Sequence, residues 1–546
     1  MRKLRIGVID LVTKRPARAL YARLMNANLA SIMPQAIAVW CEEDGHDVKL
    51  VCHTGYENLV EQLPQNVDLV FIGAFTEGAQ MAYALSNLFR MKGAVTVLGG
   101  PHARCYPQDA QKYFDYVLGF TDKTIIRQVL HDCSQHRPIG VRLDAGHQPE
   151  SLPGVRERWK FIASTLQKAR FIKIVPMLGS LGCPYTCSFC IDAAVPYQPM
   201  DFEVIKEDLR FLLRKFNRPR VVWHDPNFGV RFNEHMDAIE EAVPPNSIDF
   251  IAESSLSLLA EPNLKRLKRN GFKGLLPGIE SWYELSNKSN TGATQGMDKV
   301  RQVSDHINMI MRYIPYVQAN FVLGLDVDNG SDPFELTKRF VDMSPGVFPG
   351  YSLLSILGQA ARLNLEYQRD NRVIPFPFHF LNNNHATNVR PKNYSWPEFY
   401  DHVIDLTEHS FSWRAIFNRH RATGAKIPKL INLVRGVSSG GVGMIKYHTE
   451  IRRRLDTDLE FRRFFEQETT EIPQFYVRRI QQELGPLWEW LPEGALHHDP
   501  NAYLKAEQQE LLIPPDGRAE RSTQESEVTS NLISAERVNV NPARLV

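Results

Sequence analysis

The chain has 546 residues, 43% of them hydrophobic and 23% charged, with 64 Lys plus Arg against 62 Asp plus Glu and a formal charge of +2. That length exceeds one ordinary core, so two or three domains are expected, and the even balance argues against a polybasic nucleic-acid surface or a membrane charge patch dominating the chain. The apolar run Leu69 to Ala74 is far short of the ~20 residues that cross a bilayer, and Asp10 interrupts the apolar stretch after Met1-Arg2-Lys3. A first strand is expected there rather than a signal peptide, in a cytoplasmic protein with no membrane span and no nucleic-acid partner.

In chain order, residues 1–140 alternate strands and helices. Strands are expected at Arg5 to Leu11, Asp47 to Cys52, Asp68 to Gly73, Val95 to Leu98 and Asp115 to Leu118. Helical spacing falls at Ala30 to Glu43, Ala79 to Met91 and Lys123 to Cys133. This is the pattern of a doubly wound parallel sheet, which binds ligands at the carboxyl ends of its strands. Residues 141–170 lack strong periodicity and read as a linker. Residues 171–375 resume the alternation, with strands at Ile172 to Met177, Val221 to His224, Asp249 to Glu253, Gly274 to Ile279, Val317 to Leu323 and Pro349 to Leu357. Six such units make a partial (β/α)6 barrel rather than a closed eight-fold one. Residues 376–510 are mainly helical, and 511–546 are polar and aperiodic, the pattern of a disordered tail.

Seven cysteines are few for this length, and three fall together in Gly182-Cys183-Pro184-Tyr185-Thr186-Cys187-Ser188-Phe189-Cys190. An odd count with a local cluster argues for metal ligation in a reducing compartment rather than disulfides. The C-x3-C-x2-C loop follows a strand and offers three soft thiolates, which suit three corners of an iron–sulfur cubane. Structural zinc would want a fourth ligand, and the nearest histidines, His147 and His224, are not at finger spacing.

The segment resembles the signature of the radical S-adenosylmethionine (SAM) superfamily, including Phe189 before the last cysteine and Gly182 before the first. The resemblance runs from 171 to about 360. It implies a [4Fe-4S] cluster on Cys183, Cys187 and Cys190, whose open iron chelates SAM. An electron from the cluster then cleaves SAM to methionine and a 5'-deoxyadenosyl radical. The resemblance also implies SAM contacts at the strand ends: Asp225 and Asn227 after the second strand, Glu253 after the third, Glu280 after the fourth and Asn320 on the fifth. The second strand lacks the Gly-Gly-Glu form of some relatives, so Asp225 and Asn227 would stand in for it.

The first domain resembles the Rossmann-like cobalamin-binding domain that precedes one large radical SAM class. Phe75-Thr76, Gly99-Gly100-Pro101-His102-Ala103 and Gly119 carry the likeness, and in the family these loops face the corrin and its nucleotide tail. Glycine lets backbone approach such a flat ligand closely. Where methyl carriers have D-x-H-x-x-G, this chain has Asp10-Leu11-Val12-Thr13-Lys14-Arg15. No histidine is therefore on offer to cobalt, and His102 reads as a packing residue.

The resemblance implies reductive SAM cleavage to activate an unreactive carbon, with cobalamin as methyl carrier. The alternatives are a radical SAM cyclase or rearrangement enzyme with a cobalamin-free first domain, and a non-catalytic iron–sulfur protein. The expected partners are a small molecule, an apolar natural-product precursor by the aromatic content, and an electron donor such as a flavodoxin or ferredoxin. Trp396, Phe399, Tyr400, Phe411 and Trp413 read mainly as core. Ser438 to Gly443 lacks the Lys-Ser/Thr of a phosphate loop and reads as a helix connector.

Overall fold

A computed structural model of the chain describes residues 2–12, 30–53, 58–135, 140–169, 173–193, 195–283, 291–382, 386–438, 440–502 and 504. The tail expected at 511–546 lies outside them. Two six-stranded parallel sheets organise the chain. The first runs in the order β2-β1-β3-β4-β5-β6, from β1 (Arg5–Leu11), β2 (Asp47–His53), β3 (Leu69–Ala74), β4 (Val95–Gly99), β5 (Tyr116–Leu118) and β6 (Val141–Leu143). The inner strands are buried along most of their length, as β1 is from Ile6 to Leu11, because helices cover both faces. The order reverses between β1 and β3, which leaves a crevice at their carboxyl ends.

The stretch without periodicity, 141–170, holds β6 and a helix, Trp159–Lys168. β6 has only three residues and pairs with β5, so its signal is too short to read as alternation. The helix has no side-chain N-cap. Arg158, which precedes it, is buried and donates to the Gln35 side chain on the Ile32–Glu43 helix and to the Pro153 carbonyl, long-range contacts invisible to a local pattern.

The second sheet runs β14-β13-β12-β11-β10-β7. It comprises β7 (Val175–Met177), β10 (Arg220–Trp223), β11 (Asp249–Ser255), β12 (Phe272–Glu280), β13 (Tyr316–Leu323) and β14 (Phe348–Leu353). Its ends, β7 and β14, do not pair, so the barrel is open, as six units require. Burial alternates along β13, with Val317, Ala319 and Phe321 buried and Gln318, Asn320 and Val322 partly exposed. The buried set faces the covering helices, where Trp223, Phe228, Phe250 and Phe272 pack ring on ring. The partly exposed set therefore lines the hollow of the barrel.

Helices dominate from Trp396 to Leu484. The Trp396–Phe411 helix begins with a capping box between Ser395 and Glu398. Trp396, Phe399 and Tyr400 are buried core, whereas Trp413 is exposed. Residues up to Pro500 form one compact unit.

Candidate functional site

A small antiparallel ladder, β8 (Ser180–Leu181) against β9 (Gln198–Pro199), closes the base of the cysteine loop. Gly182 turns the chain there at φ +68°, and a Cβ on it would lie 2.2 Å from the Pro196 carbonyl oxygen and 2.6 Å from that of Val195. Only glycine fits. The Cys183 amide donates to Val195 (3.4 Å), and the Cys190 amide to the Cys187 carbonyl (3.0 Å). The Asp192 amide donates to the Cys190 sulfur at 3.4 Å.

None of the seven cysteines is in a disulfide. Among the described residues no three His, Cys, Asp or Glu side chains converge closely enough to hold a single metal ion. A cubane asks for something else, since each of its thiolates binds a different iron. Three soft sulfurs on one short loop, with an amide already directed at one of them, are a donor set suited to it.

The strand-end residues fall into two groups. Asp225 and Asn227 are buried and engaged by neighbours. Asp225, 1% exposed, accepts from the Gly179 amide (2.9 Å) and the Ser180 hydroxyl (2.7 Å). Burial pushes its carboxyl above the usual carboxylate range, against those hydrogen bonds and the nearby His235. Gly179 has no room for a side chain between His235 and Asp225, since a Cβ there would lie 2.1 Å from the His235 ring nitrogen. Asp225 thus holds the strand that leads into the cysteine loop. Asn227 accepts from the Ser255 amide at 2.9 Å. The Ser255 hydroxyl meets Ser257 (3.0 Å), which meets the Tyr185 hydroxyl between the first two cysteines (2.9 Å).

Glu253, Glu280 and Asn320 form the second group and are at least partly open to solvent. At the end of β12 the register slips between Gly278 and Glu280, and Glu280 takes φ +67°, a conformation rare outside glycine. The bulge returns its carboxylate over Gly278, where a Cβ would lie 2.3 Å from the Glu280 oxygen. Asn320 accepts from the Gln318 amide at 2.6 Å, and Gly350 leaves room for both. These side chains stand where an ammonium or ribose hydroxyls could be met. Phe189 packs against an apolar cluster beyond β13 and β14 that includes Leu325, Leu354, Ile356 and Tyr367. There Asp326 forms a two-pronged pair with Arg372 (2.6 and 2.7 Å), a partnership across 46 residues that the sequence does not announce.

In the first sheet, the crevice between β1 and β3 holds a cavity of about 140 Å³, lined by Val8, Asp10, Gly73, Phe75, Gly99 and Gly100 among others. A side chain on Gly99 would meet nothing within 4 Å, so backbone is open to a ligand there. Gly100 has φ +90° and lies against Ala74. Gly119 serves differently: its missing side chain is filled by the Asp144 carboxylate, 1.9 Å from a built Cβ. Phe75 is exposed at the rim, whereas Thr76 is buried. Asp10 is buried and accepts from the Ser31 amide at 2.7 Å; desolvation pushes its carboxyl up to about 6. The lining is mainly apolar, which suits the face of an aromatic ring.

The two sites adjoin. Arg104, on the Pro101–Cys105 helix after β4, donates to the Ile191 carbonyl (3.4 Å) and the Asp192 carboxylate (3.3 Å) of the cysteine loop. The same helix packs against the turn after β14, where the Gly358 Cα approaches Cys105 so closely that a Cβ would lie 1.8 Å from its carbonyl oxygen. His102 is buried between Tyr83 (2.7 Å) and Phe378, and burial lowers its pKa to about 3, as befits a packing residue.

No family model matches the chain. A bacteriochlorophyllide d C-8(2)-methyltransferase of Chlorobaculum tepidum is 23% identical over 391 residues, 68% of this chain and 83% of that one. A bacteriochlorophyllide d C-12(1)-methyltransferase of the same organism is 20% identical over 308 residues, 55% of this chain and 66% of that one. Among solved structures, the cobalamin-dependent SAM radical enzyme OxsB with aqua-cobalamin bound superposes with a TM-score of 0.52 at 13% identity, covering 94% of this chain and 82% of that one. The fold is that of a cobalamin-dependent radical SAM enzyme. The open six-stranded sheet of β7 and β10 to β14 and the doubly wound first sheet are the two parallel sheets of this fold.

Proposed function

We propose that this chain is a radical SAM methyltransferase that uses cobalamin as methyl carrier and acts on an unreactive carbon of an apolar small molecule. One observation carries the reading: through Arg104, the loop after β4 bonds the loop bearing Cys190, so a corrin on the first sheet and a cluster on the barrel would share one chamber. In this proposal Cys183, Cys187 and Cys190 hold a [4Fe-4S] cluster. Glu253, Glu280 and Asn320 receive SAM from the barrel's hollow, with Phe189 beside it. Asp225 and Asn227 hold the loop in place.

The crevice lined by Phe75, Gly99 and Gly100 receives cobalamin, with Thr76 and Gly119 shaping its neighbouring loops. Residues 1–140 are the cobalamin half, 171–375 the radical SAM half, and 376–510 the cover. The cluster and SAM together supply a radical able to remove hydrogen from carbon, which acid–base side chains cannot do. What the chain's residues supply is orientation and exclusion of water. The relatives act on bacteriochlorophyllides, so a chlorin-type macrocycle is the first substrate to try. Electrons come from a flavodoxin- or ferredoxin-type donor in the cytoplasm, where thiolates stay reduced. No helix among the described residues is long and apolar enough to cross a membrane.

The test is anaerobic reconstitution with iron, sulfide and hydroxocobalamin, then desalting and metal analysis. About four irons and about one cobalt per chain are expected, with label passing from methyl-labelled SAM to a chlorin. Iron without cobalt overturns the methyl-carrier assignment and leaves the cyclase or rearrangement reading. A stable cluster without SAM cleavage overturns both.

A further inference from the structure

The helices Trp413–Ala422 and Lys426–Val437 pack on each other through small contacts. Ile416 lies against Gly436, where a Cβ would sit 3.3 Å from it, and the Asn432 amide donates to the Thr423 hydroxyl at 3.1 Å. Their outer faces are unusual. Trp413 is 74% exposed, Phe417, Ile427 and Leu430 are each 59% exposed, and Leu433 and Val437 are also open. These are six of the twelve exposed large hydrophobics among the described residues, gathered within 25 positions of the sequence. On the second helix they follow one stripe at helical spacing.

Charge singles out the same segment. From Phe411 to Thr449 there are seven Lys or Arg and no Asp or Glu, in a chain that is otherwise balanced. Arg419 and Arg435 are spent inside: Arg419 donates to Val347 and Ser410, and Arg435 to Tyr316 and Gln318. Arg414, Arg421, Lys426 and Lys446 are exposed. Beside the turn joining the helices, a groove of about 580 Å³ is lined by Lys268, Lys273 and Arg312 together with Ala422, Gly424 and Ala425, and no carboxylate lines it.

We propose that this helix pair docks the enzyme on the surface of an anionic lipid bilayer. Trp413, Phe417, Ile427 and Leu430 enter the headgroup boundary while the surrounding lysines and arginines, with the basic groove, take lipid phosphates. Exposed aromatic and aliphatic side chains at helical spacing, in a segment that carries cations and no acids, are what a helix lying in the membrane plane requires. A second copy of the chain fits poorly, because a two-fold contact would bring two basic faces together. Docking here would leave the enzyme beside a membrane-dissolved substrate, with no spanning helix among the described residues.

The experiment is flotation of the full-length reconstituted enzyme with vesicles of phosphatidylglycerol and phosphatidylcholine in equal parts, and with phosphatidylcholine alone. Binding to the anionic vesicles is expected at least tenfold tighter and is lost in 0.5 M salt. The pair Trp413→Ser and Leu430→Ser, and separately Arg421→Glu and Lys426→Glu, weaken it more than tenfold, each basic group being worth about fivefold near such a surface. Iron content and elution volume serve as the folding control. Equal flotation with both vesicle types, or variants that float like the parent, overturns the proposal. So does a concentration-dependent dimer that the serine variants abolish while no vesicles are bound.

Discussion

Asp225→Ala separates two roles that a strand-end carboxylate can play. If the carboxylate met SAM, its loss would weaken SAM binding and leave the cluster in place. The geometry gives the opposite expectation, because both oxygens are taken by Gly179 and Ser180, four and three residues ahead of Cys183. Alanine leaves a buried amide and a buried hydroxyl without acceptors. At about 1–3 kcal/mol for each orphaned group, the entry to the cysteine loop loses about 2–6 kcal/mol of local order. Removing the buried carboxylate also removes its own desolvation penalty, so the melting temperature falls less than the loop does. The readout is therefore iron per chain after anaerobic reconstitution, not Tm.

Asp225→Asn sharpens the test. The amide oxygen still accepts from Gly179, and its NH2 donates to the Ser180 hydroxyl, which is donor and acceptor alike. Near-parent iron and near-parent SAM binding are expected for asparagine, and less than half the parent's iron for alanine. Iron would be measured colorimetrically and SAM binding by calorimetry. If both variants kept about four irons while losing SAM affinity tenfold or more, Asp225 would be a direct SAM ligand and the positioning argument would fail.

Gly182→Ala combines a left-handed residue, costing about 1–2 kcal/mol, with a collision against two carbonyl oxygens. Iron incorporation should fall severalfold in that variant while far-UV circular dichroism is unchanged, and a normal cluster would show that the ladder does not set the loop. Asp10 holds its proton to about pH 6 in the fold and to about 4 when unfolded, so its contribution to stability is full below pH 4, falls as pH rises to 6, and stays lost above it. Asp10→Asn should therefore flatten the fall in stability between pH 4 and 6 and raise it above pH 6 by up to about 3 kcal/mol, which denaturant titration across that range checks.

Both sheets and the cysteine loop were legible in the sequence for physical reasons. Strands of the first sheet, buried on two faces, are continuous apolar runs, those of the second are β-branched and apolar runs set between amphipathic helices, and three thiolates in eight residues are a local pattern. What stayed hidden was set by distant partners. β6 is three residues long and exists because β5 offers it an edge. The role of Asp225 depends on Gly179, 46 positions away, and on His235 within the Phe232–Ala242 helix. Gly119 looked like a place for ligand to approach, and only the fold reveals that Asp144 fills the space. The exposed face of 413–437 was equally illegible: its apolar residues have the spacing of a core helix, and a chain-wide charge balance hides a segment without acids.

The joint between the halves explains why the short helix Pro101–Cys105 carries so many constraints. It starts at Gly100, whose φ of +90° presses it against Ala74 at the crevice. It sends Arg104 to the cysteine loop, and it ends at Cys105, whose carbonyl tolerates only a glycine opposite it at position 358. In methyl transfer the carrier must meet SAM and the substrate in turn, and reacting atoms about 1 Å out of place cost orders of magnitude in rate. A helix of five residues, pinned at its start, middle and end, is a direct way to fix the spacing of the two cofactor sites proposed for the separate sheets. On the proposed function, the Gly-Gly-Pro-His-Ala-Arg run thus serves the register between the sites as well as the approach of a ligand.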